Sequence, residues 1–337
     1  MVSAYDAVLN KIENLTPDSD HTRGLGMGVL DYSEVSIQIW INMINEQWNR
    51  QNVWGGDVLK ITCNQIFDLT SSPVPMNGIV NLWRKENIPT ITQNVNNTDG
   101  SNFIPNIEVF TVAENITPKG AVIICPGGAF LFRSFIVEGY NVAKMLVSYG
   151  YQCFVLNYRI EPCIMIESTL DLQRAIRYIA AHAYDYRIKE NNISLVGFSA
   201  GGLLCGDIIL DWQNIKNAQS VVPAYCPDSL DDIPYNICAS GMIYSFFGKI
   251  NQPMNDIDKL KNAQIPPTFY SWGSKDNLAP LIKQNVTALQ MAGVIVDTHI
   301  VEGFPHGYGT GGDAEIWVKR FDEFLCRNLG TKSKTIY

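Results

Sequence analysis

Between residues 120 and 328, short apolar runs alternate with longer stretches of helical spacing, and this alternation constrains the fold more than any other feature of the chain. GAVIIC (120–125), QCFVLNYR (152–159), ISLVGF (193–198), SGMIYSF (240–246), PTFYSWG (267–273) and VDTHIV (296–301) read as strands. Most are apolar on both faces. The stretches 136–149, 168–186, 200–212, 279–292 and 313–328 place apolar residues three and four apart, as at Leu172, Ile176 and Ile179, and read as helices. Strands without a polar face, each followed by a helix, imply a mostly parallel sheet covered by helices on both sides, an α/β fold. Such sheets carry their chemistry in the loops at the C-terminal strand ends.

Composition excludes several classes of function. A 46% hydrophobic, 17% charged chain of 337 residues has enough apolar material for a large core, which excludes disorder and fibres. Lys and Arg number 25 against 33 Asp and Glu, so a net charge of -8 repels phosphate backbones and nucleic acid is not an expected partner. No apolar run approaches the roughly 18 residues that cross a bilayer, and the first 20 residues lack the basic start and apolar centre of an export signal. Eight cysteines without a CxxC pair, several within apolar runs, read as reduced thiols and suggest a cytoplasmic protein.

Residues 1–80 differ in kind. They are richer in Asn, Gln and Trp, and Val35, Ile39, Trp40, Met43 and Ile44 recur at helical spacing within 31–49. We expect a mainly helical N-terminal extension there, with Trp40, Trp48 and Trp54 covering the active-site mouth or a subunit interface, so that a homo-oligomer is allowed. Residues 81–337 form the second expected unit, with short strands in 84–118 leading into the main sheet.

Between the strand ISLVGF and the helix that follows stands Gly197-Phe198-Ser199-Ala200-Gly201, a nucleophile elbow in which a tight strand-to-helix turn exposes the serine. A serine hydroxyl needs a base, and four histidines are available. His21 lies in an irregular segment, His182 in a helical pattern and His299 within a strand; His306, in the Gly- and Pro-bounded loop after VDTHIV, is the candidate base. Asp276, just after the strand PTFYSWG and between nucleophile and base in chain order, is the candidate acid. Oxyanion donors are expected from the backbone N–H groups of Gly128 and Ala129, in CPGGAF after the first long strand, and of Ala200 beside the nucleophile. HExxH, P-loop and dinucleotide fingerprints are absent, so no metal or cofactor is expected.

These motifs, with LWRKENIP (82–89), VEGYNVAKMLVSYGYQCFVLNYRI (137–160), DLQRAIRYI (171–179), GSKDNLAP (273–280) and PHGYG (305–309), resemble the α/β-hydrolases, and within them the esterase branch of bacterial acetyl xylan esterases and related carbohydrate deacetylases. The resemblance runs from about residue 81 to the C-terminus and implies the same catalytic residues. Lipase-like esterases carry His-Gly-Gly-Gly where this chain has Pro126-Gly127-Gly128-Ala129, which tilts the expectation towards acetylated sugars. The implied activity is a serine carboxylesterase removing acetyl groups from xylo-oligosaccharides or similar small-molecule esters, with Phe130, Phe132, Phe304 and Tyr308 near the substrate. Three rivals stand beside it: a general short-chain esterase, a peptidase of the prolyl-oligopeptidase type, for whose usual propeller 337 residues leave no room, and a binding protein on the same scaffold.

Overall fold

The computed structural model describes residues 77–92, 102–211, 217–247 and 256–329. The N-terminal segment to which we assigned helices and a covering role lies outside the described residues, as does His21.

Among the described residues eight strands form one sheet in the order β1-β2-β4-β3-β5-β6-β7-β8. They are β1 (Gly78–Asn81), β2 (Asn106–Phe110), β3 (Gly120–Cys125), β4 (Tyr151–Asn157), β5 (Ile193–Phe198), β6 (Ala239–Ile243), β7 (Thr268–Gly273) and β8 (Val296–Val301). The pairs β1/β2 and β2/β4 are antiparallel and all the others parallel. The expected boundary at residue 81 falls at the end of β1, which already belongs to the sheet.

β3 lies between β4 and β5, so the chain winds outward from it in both directions, and a crevice opens at the C-terminal ends of β3 and β5 where the winding reverses. The two loops that leave this crevice are CPGGAF and the Ser199 elbow.

Two apolar cores flank the sheet. Along β3 the side chains alternate between them: Ala121, Ile123 and Cys125 enter one core, Val122 and Ile124 the other. Among the described residues the α-helices are α1 (Asn141–Ser148), α2 (Met165–Ala181), α3 (Ala200–Asp211), α4 (Ile257–Asn262), α5 (Ala279–Met291) and α6 (Ile316–Asn328). Helices α2, α3 and α5 cover the first core, and α1 and α6 the second. Among the described residues no helix is long and apolar enough to cross a membrane.

Element ends depart from the sequence reading where side chains redirect the backbone. β6 stops at Ile243, three residues short of the apolar run, because Tyr244 turns to φ +41°. The helix read over 136–149 begins instead as a π-helical segment, Phe135–Tyr140, before α1. α2 starts three residues early, where the Glu167 carboxylate accepts the Ile164 N–H at 2.8 Å. α4 had no counterpart in the periodicity; Asp256 caps it by accepting the Lys259 N–H.

The motifs that no chemistry absorbed are structural. Arg159, just past β4, donates two bonds to Asp171 on α2 and others to the carbonyls of Pro89 and Glu167. The Trp83 indole N–H reaches the same aspartate at 2.7 Å, and Arg174 joins the Leu82 carbonyl to Asp228. Buried charges persist only when paired in this way. LWRKENIP, LNYRI and DLQRAIRYI are thus three parts of one buried network.

Among the described residues five cysteines are buried free thiols and Cys326 is an exposed one. Cys226 is disulfide-bonded, which corrects the fully reduced reading at that position.

Candidate active site

Ser199 closes the turn between β5 and α3 with φ +49°, a left-handed conformation that costs a non-glycine residue energy and is held by its surroundings. Its N–H donates to the Ile243 carbonyl at 3.0 Å, and its carbonyl accepts from Gly202 N–H and from the Ser245 hydroxyl at 2.6 Å. The turn is therefore pinned from β6 as well as from its own helix.

His306 Nε2 lies 2.9 Å from Ser199 Oγ, and His306 Nδ1 lies 3.1 Å from each Asp276 oxygen. With the proton on Nδ1, the imidazole donates to the carboxylate and accepts from the serine hydroxyl. The three residues are 2%, 4% and 1% exposed in the order Ser199, Asp276, His306, so these bonds operate away from bulk water. Asp276 Oδ1 also accepts the Leu278 N–H at 2.8 Å. Its carboxylate thus serves the turn into α5 and the imidazole together, which fixes its orientation.

The loop after β3 carries three consecutive residues at positive φ: Gly128 (+129°), Ala129 (+55°) and Phe130 (+60°). A Cβ at Gly128 would sit 2.1 Å from the Phe132 carbonyl oxygen, so only glycine fits there. Within the loop, the carbonyls of Gly127 and Gly128 accept from Ser134, Leu131 and Phe132. The only loop N–H given a protein acceptor among the described residues at 127–129 is that of Gly127, held by Glu138 Oε2 at 2.6 Å. Ala200 opens α3, where the first N–H groups have no intrahelical acceptor and carry the positive end of the helix dipole. These donors suit an anion forming at Ser199.

The remaining candidates divide. Phe130 packs edge-on to Tyr158 in the first core, and Tyr308 lies in the second with its hydroxyl 2.7 Å from Ser271 Oγ. Both rings, expected near the substrate, are buried as the catalytic candidates are, at 3% and 8% exposure, and Tyr308 packs on Tyr244, the ring that adjoins His306. Phe132 and Phe304 are half-buried. His182 pairs with Asp185 at 3.0 Å, and His299 faces Ser271, its pKa lowered by burial and by the charge of Arg320.

Sequence reasoning missed Glu138, Tyr244 and Ser245, which brace the site from beneath. Glu138 is a lone acid in an apolar helical stretch, FIVEGYNVAKML, and that isolation was the available signal. Tyr244 and Ser245 were hidden inside a run read as strand. Among the described residues, no cluster of three or more His, Cys, Asp or Glu side chains is arranged to hold a metal ion.

Known proteins resemble the chain in both sequence and fold. The BD-FAE family pattern matches residues 107–211, and that of the prolyl oligopeptidase family matches residues 167–332. An acetylxylan esterase of Xylanibacter ruminicola is 26% identical over 232 residues, covering 65% of this chain and 46% of that protein. An endo-1,4-beta-xylanase B of Butyrivibrio fibrisolvens is 26% identical over 34% of this chain and 18% of its own length. The chain thus spans less than half the length of these curated relatives. Among solved structures, an acetyl ester-xyloside bifunctional hydrolase from Caldicellulosiruptor lactoaceticus superposes with a TM-score of 0.56 at 23% identity, covering 76% of this chain and 98% of that one. A thermophilic esterase from Thermogutta terrifontis gives 0.57 at 17% identity, covering 77% and 97%. With the sheet, the elbow and these likenesses together, the chain has the α/β-hydrolase fold.

Proposed function

We propose that this chain is a serine carboxylesterase that removes short acyl groups, acetyl above all, from acetylated xylo-oligosaccharides or similar sugars. The observation that carries the reading is the 2.9 Å approach of His306 Nε2 to Ser199 Oγ, backed by Asp276, with the glycine loop so close that a Cβ on Gly127 would stand 3.0 Å from Ser199 Cβ. Ser199 Oγ attacks the ester carbonyl while His306 takes its proton; Asp276 stabilises the imidazolium. The N–H groups of Gly128, Ala129 and Ala200 receive the oxyanion. His306 then returns the proton to the leaving alcohol, and water, activated in the same way, releases the acyl group.

The choice of acyl group and sugar is supported by the names of the relatives, an acetylxylan esterase and an acetyl ester-xyloside hydrolase. The second reading, a general short-chain esterase, is favoured by the Thermogutta esterase, whose structures hold propionate or butyrate. We expect kcat/KM on p-nitrophenyl esters to fall at least about tenfold from acetate to hexanoate, and acetylated xylo-oligosaccharides to be deacetylated. A rise with chain length sinks the short-acyl reading. Short-ester activity without deacetylation of the saccharides selects the general esterase, and cleavage of prolyl peptides with inert esters selects the peptidase.

A further inference from the structure

Beneath the site lies a second buried carboxylate that the reaction above does not use. Glu138, 2% exposed on the π-helical segment, accepts Gly127 N–H on Oε2 and Tyr244 Oη–H on Oε1, each at 2.6 Å. The Tyr244 hydroxyl in turn accepts Gly309 N–H at 3.2 Å, and the Tyr244 ring stands edge-on to the His306 ring with centroids 4.9 Å apart. The connection is reinforced on both sides, since Thr310 Oγ1 donates to the Val137 carbonyl and the Trp317 indole holds the Gly309 carbonyl. One carboxylate therefore touches the loop that supplies the oxyanion donors and, through one tyrosine, the loop that carries the histidine.

We propose that Glu138 is a positioning residue for the proposed ester hydrolysis, clamping the oxyanion loop to the histidine loop through Gly127 and Tyr244. Burying an acid is unfavourable in itself: desolvation raises the carboxyl above its usual range, against the opposing pull of the Tyr244 and Gly127 bonds and the charge of His306. A group needed only for packing would be better replaced by an apolar one. Both oxygens act as acceptors, Gly127 N–H having no alternative role and Tyr244 Oη receiving Gly309. A glutamine keeps its Oε1 on Gly127 N–H and its amide can donate to the second lone pair of Tyr244 Oη, but the tyrosine O–H then loses the acceptor it has in the carboxylate, so the rescue is partial. Alanine removes both arms. Because the clamp sets where the oxyanion donors stand relative to the attacking serine, its loss belongs in kcat and not in KM.

The inference rests on the esterase reading, and the test separates the two. Wild type, Glu138→Gln, Glu138→Ala and Tyr244→Phe are compared on p-nitrophenyl acetate and, independently of any ester, in the rate at which a fluorophosphonate labels Ser199, with each variant's folded fraction set by circular dichroism. For Glu138→Ala we expect kcat and labelling rate to fall at least about tenfold with KM within about threefold, and for Glu138→Gln a partial recovery, to rates at least about threefold above those of Glu138→Ala. Tyr244→Phe, which cuts one arm and leaves the acid, gives an intermediate loss in kcat and decides the matter if Glu138→Ala does not fold. The clamp is overturned if Glu138→Ala keeps kcat and labelling within about twofold, if its loss lies in KM alone, or if glutamine rescues nothing. A wild type inert to esters but labelled at Ser199 overturns the esterase reading, while the labelling rates still judge Glu138; a wild type that neither turns over nor labels overturns both.

Discussion

Ser199→Ala folds as the wild type does and loses ester hydrolysis by more than about a thousandfold, because only binding and the oxyanion donors are left. The hydroxyl is small and its Oγ makes its described bond to His306, so deletion leaves the elbow's backbone bonds to Ile243, Gly202 and Ser245 in place. His306→Ala behaves alike, since the base and the proton carrier are one side chain. His182→Ala and His299→Ala stay within about threefold of wild type, their partners being Asp185 and Ser271 and not the serine. Steady-state kinetics on p-nitrophenyl acetate with matched circular dichroism checks all four. More than about 1% residual activity in Ser199→Ala removes it as the nucleophile, and loss in either control moves the base elsewhere.

Gly201→Ala is the largest expected effect of a single methyl group. The added Cβ would stand 2.0 Å from the Cys125 carbonyl oxygen and 2.6 Å from that of Pro126, and both are backbone atoms of the strand end and loop that bear the oxyanion donors. Neither rotates away; β3 must move from α3 or the elbow must open. We expect a loss of about 3 kcal/mol or more of stability together with at least a hundredfold loss, roughly, in kcat/KM. Gly303→Ala is the contrast. It has φ +81° with nothing within 4 Å of the new Cβ, so backbone strain alone acts and the cost is about 1 kcal/mol. Urea unfolding and kcat/KM measured together check the pair. Equal, small effects at both positions would show that the close packing of the elbow on β3 does not govern the site.

Much of the architecture was legible because its causes are local. GAVIIC, ISLVGF and VDTHIV are strands over the residues read from the sequence, and Ser199 lies at a strand-to-helix turn because β5 is apolar to its last residue and glycines follow. Chain order then named Ser199, Asp276 and His306 as a set, and the loop position of each after a strand put them at one end of the sheet. The edges were less legible, since the stop of β6 at Ile243 depends on where Tyr244 must point and not on its apolar character.

What the linear pattern could not supply is distance across the fold. Ser199 and His306 are separated by 107 positions in the chain, and Glu138 and Tyr244 by 106; each pair meets only after the sheet has wound outward from β3. An aromatic residue in a site loop looks the same in sequence whatever its burial, and only the assembled fold shows how deeply Phe130 and Tyr308 are packed. The periodicity of apolar residues encodes strands, helices and the order of loops because it reports on the nearest turn of chain. Convergence of side chains, and the burial that makes a carboxylate such as Glu138 dependent on its partners, arise from packing between segments far apart in sequence, so they exist only once the whole sheet is assembled.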